Sequence, residues 1–248
     1  MSGALCAERV AAGDPDRFAA VMAVPADLRA PLWALYAANL EIARAPWASG
    51  EPMVAEMRLQ WWIDAFAALA EGRGAPPHEI GPALADLPGA ALAGLTEAAE
   101  ARRADCWSDP FETEAALEDY LAATSGAVYA AAGAALGAET EALRAYGAAA
   151  GLAHWLEALP ELRARGRLDL AGADAAALGA LAARGRTRLV QAREGLSGRA
   201  ARLAALPGWA AEGVLARAAQ APERIAAGQL RGSEFARRFG LLRAAFLA

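Results

Sequence analysis

The sequence predicts an all-α protein, and three observations carry that expectation. Alanine, the strongest helix former, dominates an apolar content of 56%. β-branched residues are scarce, and few stretches show the period-two alternation of a half-buried strand. Between breaks made by proline and glycine, apolar residues recur instead at three- and four-residue spacing. At 248 residues the chain can bury a sizeable core, and neither a linker-like composition break nor a fixed-period repeat divides it. A single domain of about ten helices over residues 1–248 is expected.

In chain order, a short helix ends at Asp14, which can cap a helix opened by Pro15 and running to residue 22. Pro25-Ala26-Asp27 starts the next helix, with Asp27 as its cap and Leu32, Leu35, Tyr36, Leu40 and Ala43 along its apolar stripe. It stops near Pro46-Trp47. Ser49-Gly50-Glu51-Pro52 then leads into a helix over 52–71, with Met53, Met57, Trp61 and Leu69 towards the core. Of the adjacent Trp61 and Trp62, one is expected inside and the other outside, because neighbouring helix residues point about 100° apart. Residues 72–77 break the helix. Short pieces cover 79–87 and 89–104, a turn covers 105–110, and a small-residue helix covers 112–136. A further helix over 139–159 ends at Pro160, and a basic loop spans 163–170. Four amphipathic helices over 170–183, 186–206, 208–227 and 233–246 complete the chain, with Ser233-Glu234 offering a cap to the last.

All 24 basic residues are arginine, so mechanisms that need a Schiff-base or phosphate-loop lysine are excluded. The net charge of −5 hides an asymmetry. Residues 1–160 hold 9 Arg against 22 acidic residues, and residues 161–248 hold 15 Arg against 7. A basic C-terminal third can face an anionic membrane surface or an acidic partner, or simply solvate outer helix faces. No nucleic-acid reading motif accompanies the charge, so no nucleic-acid partner is expected. Cys6 and Cys106 show no metal-ligand spacing, which suits a reducing compartment. With neither a signal pattern nor a membrane-length apolar run, the expected location is cytoplasmic or peripheral on the inner membrane.

Polar residues with chemical potential concentrate in two places. Asn39, Glu41 and Arg44 lie on one helix with Tyr36, and Arg58 and Gln60 lie on the next. Glu41 and Arg44 are one turn apart and could pair, with Arg58 answering Glu41 from its neighbour; the set reads either as a polar pocket lining or as an ion network that fixes packing. Later, His154, Glu157 and Glu161 recur at helical spacing and share a face, which reads either as part of a metal site that would need a fourth ligand from elsewhere or as a solvated or hydrogen-bonded polar face. Tyr129, with Thr124 and Ser125, adds hydroxyls on another helix. Nothing nominates a nucleophile or a triad, and no catalytic or metal-ligating residue is expected.

In their shared order, Asp14-Pro15-Asp16-Arg17-Phe18, Leu35-Tyr36-Ala37, Met57-Arg58-Leu59-Gln60-Trp61-Trp62, Ala101-Arg102-Arg103-Ala104-Asp105, Thr124-Ser125-Gly126, Gly151-Leu152-Ala153 and Gly166-Arg167-Leu168 resemble the squalene/phytoene synthase family over nearly the whole chain. The resemblance implies an isoprenoid-synthase-like helical bundle around a central cavity. Active members of that family set two aspartate-rich helices across the cavity, where they hold the Mg²⁺ that lets diphosphate leave. Here the first motif's aspartate positions fall on Ala43, Arg44 and Trp47. After Gly151-Leu152-Ala153, Glu161 alone could stand in for an aspartate of the second. Asn39-Leu40-Glu41-Ile42-Ala43 and Leu156-Glu157-Ala158-Leu159-Pro160 are similar to a branch that includes a mitochondrial complex I assembly factor. That likeness implies a catalytically inactive protein without a cofactor, acting in assembly of a respiratory NADH dehydrogenase complex or binding an isoprenoid or lipid. The alternative is a prenyltransferase that condenses two prenyl diphosphates. It would need Mg²⁺ held by carboxylates such as Glu41, Glu157 and Glu161.

Overall fold

A computed structural model describes residues 2–107 and 109–248. Over these residues the fold is helical, and the only extended pairing is an isolated bridge between Phe111 and Leu170. The α-helical segments in order are α1 (Ser2–Gly13), α2 (Pro15–Met22), α3 (Arg29–Arg44), α4 (Pro52–Ala70), α5 (Gly81–Leu84), α6 (Gly89–Ala101), α7 (Glu114–Leu121), α8 (Ala127–Ala135), α9 (Glu141–Ala164), α10 (Ala175–Glu194), α11 (Gly198–Ala205), α12 (Ala211–Gln220), α13 (Glu223–Ala226) and α14 (Glu234–Leu247). The expectation of an all-α bundle is met, with more and shorter helices than the sequence suggested.

Local signals explain most of the boundaries. Asp14 caps α2: its carboxylate accepts the Arg17 amide at 2.9 Å, and Pro15 supplies the first helical residue. Asp27 is not the cap of α3. It lies inside a 3₁₀ turn over Ala26–Leu28 that leads into the helix without a side-chain cap. Helices α7 and α8 join through a π-turn at Ala122–Gly126, so the small-residue helix is continuous but widened there.

Three further expectations fail. Helix α9 passes through Pro160 and ends a turn later, where Gly166 adopts φ +64°. The predicted break near residue 185 is absent, because α10 runs through it. Gly185 is small for packing, since a Cβ there would strike the Leu152 side chain of α9. On α4 the core side is Ala55, Leu59, Trp62, Ile63 and Phe66, whereas Met53, Met57 and Trp61 are exposed and Leu69 is half-buried. That helix carries apolar residues around most of its circumference, so periodicity alone does not choose its inner face. The tryptophans divide as expected: Trp62 is buried and Trp61 meets it edge-on at 4.8 Å.

The centre of the bundle is formed by α3, α8 and α9, the segments richest in buried residues. Close approach of α9 to the π-turn and α8 depends on glycine. A Cβ on Gly147 would lie 2.6 Å from the Tyr129 side chain, and one on Gly151 would lie 2.6 Å from Ser125.

Candidate functional site

A cavity of about 720 Å³ opens within the bundle, lined by both α3 and α9. From α3 and the turn after it come Asn39, Leu40, Ala43 and Trp47. Asn39, Ala43 and Trp47 recur every four residues, which keeps them on one side of the helix. From α9 come Gly151, His154, Trp155, Glu157, Ala158 and Leu162. The start of α2 adds Asp14 to Arg17, and the 3₁₀ segment after α6 adds Arg102 and Asp105. Tyr120, Leu121, Thr124 and Ser125 form the wall from α7 and the π-turn, and Arg231 reaches in from the loop before α14.

Each carboxylate in this lining is engaged by an arginine. Asp14 lies 3.3 Å from the Arg17 guanidinium, which also stacks over the Tyr36 ring at 4.8 Å. Asp16 pairs with Arg237 and with Arg231 at 3.5 Å. Asp105, 1% exposed, accepts from Arg102 at 2.9 Å and from the Tyr120 hydroxyl at 2.7 Å. Burial raises its carboxyl pKa, while Arg102 and the Tyr120 hydrogen bond oppose that rise. Glu157 sits 3.6 Å from Arg231 with one oxygen lacking a hydrogen-bond partner among the described residues, and burial raises its pKa too. His154 lines the cavity, and its side chain is exposed there. Desolvation by the surrounding protein, with Arg17 nearby, lowers its imidazole to about 4. At neutral pH it is an uncharged hydrogen-bonding group.

The residues expected to form a site are divided. Asn39, His154 and Glu157 line the cavity. Glu41, Arg44 and Arg58 line a separate groove of about 450 Å³ with Trp61, Trp62 and His78. There the expected Glu41–Arg44 and Glu41–Arg58 pairs give way to a pair with Arg9 of α1 at 2.5 Å, because α1 packs along α3. Gln60 faces outward, donating to Asp64 at 2.7 Å and accepting from Arg103. Tyr36 and Tyr129 are fully buried beside the cavity rather than in its lining. Tyr129 packs edge-on against Tyr146 at 5.8 Å, and its hydroxyl has no partner among the described residues. Glu161 lies two turns beyond His154, about 10 Å along the axis. It is exposed and pairs with Arg165 at 2.6 Å, outside the cavity lining.

Of the cavity's carboxylates, only Glu157 was a candidate from the sequence. Asp14, Asp16 and Asp105 stood in segments that carried the family resemblance, which was a usable signal. Arg231 and Tyr120 had none.

The donor set does not fit Mg²⁺. Across the cavity faces of α3 and α9 the only carboxylate is Glu157, and Ala43 and Trp47 offer no oxygen ligand. Among the described residues, no three Asp, Glu, His or Cys side chains gather to hold a metal ion. The edge of the site is closed differently. Trp47 lies under two guanidiniums, Arg165 at 5.4 Å and Arg167 at 4.9 Å. Arg167 also donates to the carbonyls of Pro46 and Asp105, at 3.3 and 3.2 Å.

Comparison with known proteins follows this geometry. The sequence profile described as squalene/phytoene synthase matches residues 10–203. A crystal structure of a dehydrosqualene synthase in complex with ligand superposes with a TM-score of 0.78 at 15% identity, covering 99% of this chain and 96% of that one. A squalene synthase from Alicyclobacillus acidocaldarius gives 0.72 at 16% identity, covering 90% and 94%. At these identities the superpositions speak for the fold. A search of curated protein sequences found no match.

Proposed function

Because the chain belongs to the squalene/phytoene synthase family, we propose that it keeps the family's cavity as a binding site and has given up ionisation of a diphosphate. One observation carries this reading. The walls that would have to present opposed carboxylates carry Asn39, Ala43 and Trp47, and every carboxylate that does line the cavity is engaged by an arginine. A leaving diphosphate needs cations held against its oxygens, and this lining offers them no carboxylate cradle.

The lining suits an amphiphile. Leu40, Leu121, Val128, Trp155, Leu162 and Leu168 provide apolar contact, and Asn39, neutral His154 and Arg231 provide hydrogen bonds for a polar end. An isoprenoid, a quinone or another lipid has that character. The biological setting we propose is assembly of a respiratory NADH dehydrogenase complex. It rests on the resemblance of Asn39–Ala43 and Leu156–Pro160 to the assembly-factor branch. The prenyltransferase alternative would draw on Glu41, Glu157 and Glu161, of which Glu157 alone lines the cavity.

Two experiments test the two parts. Extraction of the purified protein and mass spectrometry should find a stoichiometric lipid, reduced in an Ala43→Trp variant that fills the cavity. Recovery of no lipid from either form contradicts the binding role. Deleting the gene should lower NADH:quinone oxidoreductase activity in membranes, and unchanged activity contradicts the assembly role.

A further inference from the structure

Helix α14 has two faces of different character. Its inner face lies on the body of the protein: Leu241, Ala244 and Ala245 pack against the core. Arg237 pairs with Asp16 and stacks over Trp209 at 5.2 Å. Its outer face carries Phe235, Phe239, Leu242 and Phe246, all exposed, with Phe246 reaching 91%. These positions follow a helical repeat of four, three and four residues, so they form one stripe along the helix. Arg238 and Arg243 fall on either side of it. The helix's only acidic residue, Glu234, is held by Arg238 at 3.1 Å. Along one edge of the helix, Arg202 and Arg243 line a crevice of about 460 Å³ with Leu189, Leu206, Leu247 and Phe239 of the stripe itself. Neither arginine has an ion-pair partner among the described residues.

A row of phenylalanines standing in water is costly, because full burial of one such side chain is worth roughly 1.5–3 kcal/mol. Something covers it, and the flanking charge says what kind of surface. We propose that α14 is an interfacial helix that seats the protein on an anionic bilayer, the Phe235–Phe246 stripe entering the headgroup boundary while Arg238, Arg243 and Arg202 meet lipid phosphates. No described helix is long and apolar enough to cross a membrane, so the attachment is peripheral and reversible. Arg202 and Arg243 are part of the arginine excess of residues 161–248 that neither lines the cavity nor sits in an ion pair among the described residues. This inference is independent of the ligand reading, since none of the stripe lines the central cavity.

Flotation of the full chain with vesicles tests it. Binding should be strong to phosphatidylcholine mixed with phosphatidylglycerol, weak to phosphatidylcholine alone, and reduced by salt. A Phe235→Ser, Phe239→Ser, Phe246→Ser variant should lose more than about a hundredfold in partitioning. Arg238→Gln with Arg243→Gln should lose about tenfold on the anionic vesicles only. Met53→Ser with Met57→Ser, on the exposed patch of α4, should bind like the parent chain. Circular dichroism confirms that each variant is folded. The proposal is overturned if the parent chain fails to float, if the α4 variant rather than the α14 variants loses binding, or if light scattering shows the stripe instead buried in a dimer that the serine variant dissolves.

Discussion

The guanidinium of Arg167 lies 4.9 Å above the indole of Trp47, linking the turn that ends α3 to the loop that follows α9. The family resemblance puts a first-motif aspartate position at Trp47, while Arg167 belongs to the Gly166-Arg167-Leu168 segment that carries the resemblance after α9. The contact couples two cavity walls without a metal and brings positive charge to that edge.

Trp47→Ala should therefore loosen the site as well as lose contacts. A partly desolvated cation–π pair contributes about 0.5–2 kcal/mol, and Trp47 makes two. Denaturant melts should show a loss of about 2–4 kcal/mol, which includes the indole's packing. Trp47→Phe should recover part of it.

Asp105 should be the most sensitive polar position. It is buried, and it balances Arg102 while accepting from Tyr120. Asp105→Ala leaves the half-buried Arg102 guanidinium without its partner, at a cost of about 2–4 kcal/mol in urea unfolding, below that of a fully buried pair because the cavity hydrates Arg102. Tyr120→Phe removes one hydrogen bond to a charged group and should cost about 1.5–3 kcal/mol.

His154 should make stability depend on pH. Its imidazole is lowered from 6.5 to about 4, so between those values the unfolded chain binds the proton and the folded chain does not. The contribution is present above pH 6.5 and is lost as pH falls towards 4. In His154→Gln the fall in melting temperature over that window should flatten. Solvent reaching the cavity reduces the size of the effect but leaves its sign.

Glu157 acts in the opposite sense. Burial raises its carboxyl above 4.5, with Arg231 partly opposing, so its charge weakens the fold as pH rises through that region. Glu157→Gln should raise the melting temperature at neutral pH and change little under acid, where the parent side chain is already protonated.

Much of this was readable in the amino acids. The all-α class followed from composition and spacing, and the Asp14–Pro15 boundary from cap chemistry. The absence of a carboxylate at Ala43 and Trp47 could be read directly, and the cavity places both residues in its lining. Other features were hidden for physical reasons. The inner face of α4 was misread because Met53, Met57 and Trp61 look like core residues and only the tertiary fold shows them in water. The sequence offers Glu41 partners in Arg44 one turn away and Arg58 on the next helix, but Arg9, 32 positions away in sequence, takes the pair. The Asp16–Arg231 and Asp16–Arg237 contacts join opposite ends of the chain, beyond the reach of any local pattern.

The most direct measurement is pyrophosphate release from prenyl diphosphates by the purified chain in the presence of Mg²⁺. The cavity as described leads to release no faster than in buffer. It also leads to no gain in an Ala43→Asp, Trp47→Asp variant, whose new carboxylates would lie beside Arg165 and Arg167. Release well above buffer, yielding a condensed prenyl product and abolished by Glu157→Gln, would contradict it.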